Sequence, residues 1–205
     1  MEKPKRHTTQ FFHPSRVSAG KIHHVEQRSG GQVEITPTVK EFASGFKITK
    51  DVDSVQPVIA AVKRLKPVII MPEQMRELYG KRTATDILHS GLVPIFSREH
   101  SQVHGAVGGC LDYGVALVAT LRSLGLKADL MRSETDTYVT FEHGGEAYAV
   151  SSSRFVKDHP QRIGQASKEL IRENKEKGIT ASGHDAWAVG IKSLDDFGRY
   201  AKKEK

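Results

Sequence analysis

The sequence predicts an α+β protein in which helices come first, an antiparallel sheet follows, and helices return at the end. An apolar run with helical spacing begins at Cys110 and stops before Gly125. A second helical pattern covers Ile163–Lys177. Between these patterns, three segments alternate apolar and polar residues, as strands with one buried face do: Lys127–Met131, Thr137–Phe141 and Glu146–Val150.

Composition limits the class of protein. The chain has 205 residues, 38% of them hydrophobic and 27% charged, which is typical of a soluble protein with one sizeable core. No apolar run approaches the ~18 residues of a membrane span, and the basic N-terminus lacks a signal-peptide pattern. We therefore expect a cytoplasmic protein without membrane association. The single cysteine, Cys110, excludes an internal disulfide and a multi-thiolate zinc site.

Positive charge is concentrated towards the two ends of the chain. We expect residues 1–50, with nine Lys/Arg against four Asp/Glu, to form a basic N-terminal extension that is partly disordered or contains short strands. Residues 51–156, with eleven against twelve, form the predicted core, and residues 157–205, with eleven against eight, a C-terminal helical extension. Solvated surface charge is the favoured interpretation of these flanks, and nucleic-acid binding is the alternative.

The segment before Cys110 is predicted to be mostly helical. Two short strands, Val33–Ile35 and Phe46–Ile48, precede the helices. Asp and Ser just before Val55–Leu65 predict an N-cap for a helix there. Two further predicted helices end at glycines: Pro72–Tyr79 and Thr83–Ser90. Residues 92–107 show no period and are predicted to form a long connection, which in a compact domain is usually functional.

A hairpin turn and a final helix complete the prediction. The His-Gly-Gly sequence at 143–145 separates the second and third strands, as glycines in tight turns do. Ser-Leu-Asp-Asp at 193–196 is typical of an N-cap with an acidic first turn, so a last helix is expected to reach about Lys203. Trp187, the only tryptophan, is predicted to anchor the C-terminal segment in the core.

The position of Cys110 suits a nucleophile. The N–H groups at a helix N-terminus carry partial positive charge, which favours the thiolate over the thiol. The two glycines before it allow a substrate to approach the backbone closely. The alternative is a buried cysteine that packs as a small hydrophobic residue.

Five segments together form a recognisable pattern: 83–91, 108–117 (Gly-Gly-Cys-Leu-Asp-Tyr-Gly-Val-Ala-Leu), 121–128 (Leu-Arg-Ser-Leu-Gly-Leu-Lys-Ala), 135–141 (Thr-Asp-Thr-Tyr-Val-Thr-Phe) and 146–151 (Glu-Ala-Tyr-Ala-Val-Ser). This order resembles the transglutaminase-like superfamily of papain-like cysteine enzymes. In that family a Gly-x-Cys-x-x-Tyr-Ala helix ends in Leu-Arg-x-x-Gly-Ile-Pro-Ala. A His-x-Trp-Val-x-Val strand and a Trp/Tyr-x-x-Val-Asp strand follow. The resemblance implies a Cys-headed helix packed on an antiparallel sheet and flanked by helices.

The resemblance implies a catalytic triad that is incomplete in this chain. Cys110 falls on the family's nucleophile. Asp136 falls where the family has its catalytic His, and Ser151 falls where it has the Asp that orients that His. A carboxylate beside the sulfur raises the thiol pKa by like-charge repulsion, and loss of the base from a triad lowers the rate by several orders of magnitude.

Another histidine could replace the missing base. His104 lies in the connection before Cys110, and His184 could fold back from the C-terminal region. His143 is a poor substitute, because a position on the hairpin turn lies ~23 Å along the strand from Asp136. We expect no metal and no other cofactor, because no ligand spacing supports a metal site.

The leading hypothesis is a transglutaminase-like protein without ordinary acyl-transfer activity. Its cleft beside Cys110 would bind a peptide, a protein segment or a small ligand. The competing hypothesis is a cysteine-dependent acyl-transfer enzyme (a protease, deamidase or amidase) in which Cys110 is the nucleophile and a relocated His the base. A third is a nucleic-acid-associated protein that uses its basic flanks.

Overall fold

The chain folds into a mixed arrangement of helices and sheets, as the sequence predicts. The computed structural model describes residues 30–96, 109–132, 137–152, 160–162, 181–193 and 196. Among these residues are five α-helices, a two-stranded parallel sheet and a five-stranded antiparallel sheet. None of the described helices is long and apolar enough to cross a membrane.

The two strands predicted near the N-terminus are wrong. A 3-10 turn covers Gly31–Val33, a helix (α1) covers Pro37–Ala43, and no strand occurs within residues 30–50. The Thr36 hydroxyl accepts a hydrogen bond from the N–H of Val39, and proline in the first turn has a φ already suited to a helix. Val39 is fully buried, so part of the predicted extension packs into the core.

The helices predicted between residues 53 and 91 are confirmed with small shifts at their ends. A 3-10 turn at Val52–Val55 leads into α2, which covers Gln56–Lys63. Helix α3 covers Pro72–Leu78 and α4 covers Ala84–Ser90. Local signals explain the accuracy at α4: Thr83 and Asp86 form a reciprocal capping box, and Gly91 ends the helix at φ 64°.

The prediction of an irregular connection over 92–107 is wrong in its first part. Strand β1 (Lys66–Ile70) pairs in parallel with β2 (Leu92–Phe96), and Lys66 lies opposite Leu92. A short continuous apolar run has no period that distinguishes a strand from a buried loop, so only its pairing identifies it. Residues 97–108 lie outside the described residues.

Helix α5 and the antiparallel sheet are confirmed. Helix α5 covers Gly109–Ser123 and is buried over most of its length. The three predicted strands are β3 (Ala128–Arg132), β4 (Thr137–His143) and β5 (Glu146–Ser151), and two short strands at the sheet edges were not predicted: β6 (Gln161–Arg162) and β7 (Ala181–Gly183). The strand order is β6-β5-β4-β3-β7. Gly114 lies against this sheet, because a Cβ atom there would come within 2.7 Å of Leu130 Cδ1.

The C-terminal segment packs back onto the core, as predicted for Trp187. The Trp187 side chain is 7% exposed, and its Nε1 donates a 2.5 Å hydrogen bond to the Gly80 carbonyl. Asp185, which is fully buried, accepts a hydrogen bond from the backbone N–H of Gln32 and so ties this segment to the N-terminal turn. The helix predicted at Ile163–Lys177 and most of the last predicted helix lie outside the described residues.

Candidate functional site

Cys110 lies in the first turn of α5, as the sequence predicts, and its side chain is partly exposed. Strand β2 packs against the start of this helix. A Cβ atom on Gly109 would come within 3.2 Å of Ile95 Cγ2 and 3.3 Å of Val93 Cγ1. The glycine before the cysteine therefore allows α5 and β2 to approach closely, which fixes where the sulfur-bearing turn lies.

A buried ion pair holds the first turn of α5 from below. Arg82 Nη1 lies 2.6 Å from Asp112 Oδ2, and both side chains are less than a tenth exposed. Arg82 also donates hydrogen bonds to the Leu92 carbonyl and the Ser90 hydroxyl, so it connects α4, β2 and α5. Burial raises the pKa of the Asp112 carboxyl, and the attraction of Arg82 opposes that rise.

The start of β4 and the end of β5 meet α5 one turn beyond Cys110. Ser152 Oγ would lie 3.4 Å from a Cβ atom on Gly114, which is four residues after Cys110 and on the same side of the helix. The Thr137 and Ser152 hydroxyl oxygens are 2.7 Å apart, and both side chains are fully buried. A pair of hydroxyl groups thus occupies the part of the sheet that faces this helix.

The strand register shows which of the serines at the end of β5 lies against α5. Ser151 lies opposite Tyr138, and successive residues of a strand point to opposite faces of the sheet. The side chain that lies against α5 is therefore Ser152, and Ser151 belongs to the other face. The family pattern contains the signal that was missed, because its Asp follows the strand aromatic by four positions, and four positions after Tyr148 is Ser152.

The structure places His184 beside the C-terminal end of α5, the end opposite Cys110. Its Nδ1 is 2.8 Å from Asp129 Oδ1 and 2.7 Å from Arg122 Nη2, next to the edge strand β7. Arg122 is twelve residues after Cys110 on α5, a separation of ~18 Å along the helix. The structure therefore does not bring His184, one of the two predicted substitute bases, together with Cys110.

The other predicted site residues have different outcomes. Asp136 and His104 lie outside the described residues, so both stay predictions. His143 ends β4 at the hairpin, where its Nε2 is 2.8 Å from the Thr49 carbonyl, which confirms its distance from the start of that strand. Among the described residues, no group of three or more His, Cys, Asp or Glu side chains is placed to hold a metal ion.

Comparisons with known proteins place this chain only coarsely. No protein-family model matches it, and no curated protein matches it. Among solved structures, it is similar to Legionella pneumophila LapG in an EGTA-treated form. The two share a TM-score of 0.41 and 8% sequence identity over 80% of this chain and 81% of that chain. A likeness at this level is distant and says nothing about activity. The class that the described residues define is a mixed α+β protein.

Proposed function

We propose that this chain is a transglutaminase-like protein whose triad is incomplete and whose site beside Cys110 binds a peptide or a small ligand without turning it over. The support is the chemistry of the sheet that faces the cysteine helix. In the family pattern, a His at the start of one strand and an Asp at the end of the next complete the triad. Here those strand ends carry hydroxyl groups on the side that faces α5.

The absence of an imidazole does not depend on the exact register of β4. Residues 123–142 contain no histidine at all, so a shift of one or two positions in the comparison still finds no base at the start of this strand. The absence of the triad Asp does not depend on the register of β5 either, because residues 151–153 are all serine. The single observation that carries the proposal is therefore that the start of β4 has no His and the end of β5 has no Asp, even when the alignment with the family is shifted by one residue.

Hydroxyl groups cannot replace the His and the Asp that the triad lacks. Thr137 and Ser152 are bonded to each other, and the Ser152 hydroxyl also lies 2.5 Å from the Thr137 carbonyl. Neutral hydroxyls have too little basicity to take a thiol proton near pH 7 or to orient an imidazole by charge. Their hydrogen bonds are made within the sheet, so these two residues join the start of β4 to the end of β5 beside α5.

The partial exposure of Cys110 at a helix start favours a second candidate, a cysteine-dependent acyl-transfer enzyme with a relocated base. Because His184 contacts residues at the opposite end of α5, His104 is the candidate that we favour for that base. This hypothesis requires a thiol that is largely ionised near neutral pH.

Alkylation of Cys110 by iodoacetamide separates the two candidates. The binding hypothesis expects the folded chain to react no faster than the urea-denatured chain between pH 6 and 8, a range around the ~8.5 pKa of a free thiol. Faster labelling with an apparent pKa well below that value would contradict it. In that case His104→Ala is expected to slow labelling, with His143→Ala as the matched control at the far end of β4.

A further inference from the structure

Strand β1 of the parallel pair has few contacts with the other helices and strands that the structure describes. Strand β2 packs against α3, α4 and α5, whereas β1 has its main contacts with β2. Among the described residues, no strand pairs with the other side of β1. Parallel strands are usually buried on both sides within larger sheets, so a two-stranded parallel pair with an open edge is unusual.

The hydrogen bonds fix which backbone groups of β1 point outwards. The Lys66 N–H donates to the Gly91 carbonyl, so Lys66 faces β2. Alternate residues of a strand direct their polar groups to the same side, so Val68 and Ile70 also face β2, while Pro67 and Ile69 face the open edge. In sheets, proline occurs mainly on edge strands, at positions whose N–H would point to solvent. Pro67, which faces the open edge of β1, fits this rule.

The outward-facing part of β1 is also apolar and exposed. Ile69 is 44% exposed and Met71, just after the strand, is 51% exposed. These are two of the three large hydrophobic side chains exposed among the described residues. The open edge therefore offers the Ile69 N–H and C=O and the Pro67 C=O beside two apolar side chains. Such an edge is suited to the addition of an extended peptide strand.

The sequence that leads into β1 and forms it has charged residues of one sign. From residue 54 to residue 72 the sequence contains no Asp or Glu, and its charged residues are Lys63, Arg64 and Lys66. Arg64 and Lys66 are exposed at the start of the strand. Apolar side chains thus lie at the carboxyl end of β1 and cations at its amino end.

We propose that the open edge of β1 binds an extended peptide by strand addition, with apolar residues beside Ile69 and Met71 and an acidic residue beside Arg64. An antiparallel peptide is favoured, because antiparallel pairing is slightly more stable per residue. Its apolar residues therefore precede its acidic residue. This site lies on β1 and does not depend on the proposed function of Cys110.

The test uses a fluorescein-labelled peptide of about nine residues, alternating Val and Thr and ending in two Glu, a length sufficient for one strand. Fluorescence anisotropy measures its binding to the full chain. On binding, hydrogen exchange of the Ile69 amide slows, whereas exchange of the Val68 amide, which faces β2, changes little. Protection at Ile69 separates this site from binding beside Cys110, and its absence would overturn the proposal.

Variants of the chain measure separately how backbone hydrogen bonds and charge contribute to binding of the probe. Ile69→Pro removes the outward N–H and is expected to weaken binding by about tenfold or more. A probe N-methylated at alternate residues tests the same bonds without altering the chain and is expected to bind equally poorly. Arg64→Glu is expected to weaken binding ~5-fold, and Lys40→Glu, on the exposed side of α1, is the matched control.

Three results would overturn the proposal. The first is an unmodified probe that does not bind. The second is a probe whose affinity is unchanged by Ile69→Pro and by N-methylation. The third is a chain that sediments as a dimer, becomes a monomer on Ile69→Pro and does not bind the probe, because a second copy would then occupy the edge.

Discussion

The two ends of α5 carry the same kind of ion pair in opposite surroundings. At the N-terminal end, Arg82 and Asp112 lie 2.6 Å apart with side chains only 7% and 9% exposed. At the C-terminal end, Arg122 and Asp129 lie 2.7 Å apart with side chains 23% and 42% exposed. His184 joins the second pair from β7. The two ion pairs thus have nearly equal N–O distances but differ greatly in solvent access.

The difference in solvent access decides how much each ion pair contributes to the stability of the fold. Charges in contact with water interact weakly, since solvent screens them and each partner keeps most of its hydration without the other. A buried charge has lost its hydration and depends on its partner. The buried pair therefore holds the turn that bears Cys110 in place, whereas the exposed pair joins α5 to β3 without being essential to either.

Removal of Arg82 is expected to give the largest effect. Arg82→Ala leaves the Asp112 carboxyl buried without its cation and removes the bonds to Leu92 and Ser90, so we expect a loss of about 3–5 kcal/mol in the free energy of unfolding. Urea denaturation followed by circular dichroism measures it. A loss under about 1 kcal/mol, the range of exposed pairs, would show that burial does not distinguish the two ends.

A methyl group added in the middle of α5, between its two ion pairs, tests how closely the helix packs on β3. Gly114→Ala places a Cβ atom 2.7 Å from Leu130 Cδ1, and overpacking of this kind costs about 1–3 kcal/mol. Leu130→Val removes the clashing atom, so the double variant is expected to lose less than the sum of the two single variants. Strict additivity in urea denaturation would contradict the contact.

The pH dependence of stability tests the electrostatics of the buried end. Because burial raises the pKa of Asp112, the folded state keeps this proton at pH values where the unfolded chain has lost it. The stabilisation is complete below the unfolded pKa of about 3.9 and is lost as the pH rises through the folded pKa, by at most about 1.4 kcal/mol per pH unit.

Asp112→Asn cannot titrate and is the reference. The wild-type free energy of unfolding, minus that of Asp112→Asn, is expected to fall as the pH rises above about 4. A difference that increases with pH would mean that the attraction of Arg82 outweighs burial and lowers the pKa of Asp112. We favour the rise, because the side chain is only 9% exposed.

The exposed pair is expected to give the smallest effect. Asp129→Ala removes the contacts to Arg122 and His184, and we expect a loss of about 0–1 kcal/mol in the free energy of unfolding that shrinks further in 1 M salt, where the Debye length is ~3 Å. A loss comparable to that of Arg82→Ala would show that β7 depends on this cluster.

Local signals explain which elements the sequence predicted well. Helix α4 has its capping residues and its terminal glycine within a few positions of each other, and the β4–β5 hairpin has glycines at φ 59° and 82° in its turn. The start of α5 next to Cys110 follows from one apolar run. No such signal marks β2, since it is identified only by its pairing with β1, whose first residue lies 26 positions earlier in the sequence.

The sequence by itself determined the α+β class, the Cys-headed helix and the absence of a histidine at the start of β4, because composition, periodicity and residue identity are local properties. Only the tertiary structure decided that Ser152 and not Ser151 lies against α5, since a one-residue change of register reverses the face of every side chain. It also decided that Arg82 meets Asp112 and that His184 lies at the far end of the helix. Contacts between residues thirty or more positions apart depend on how the elements pack, and no short stretch of sequence encodes that.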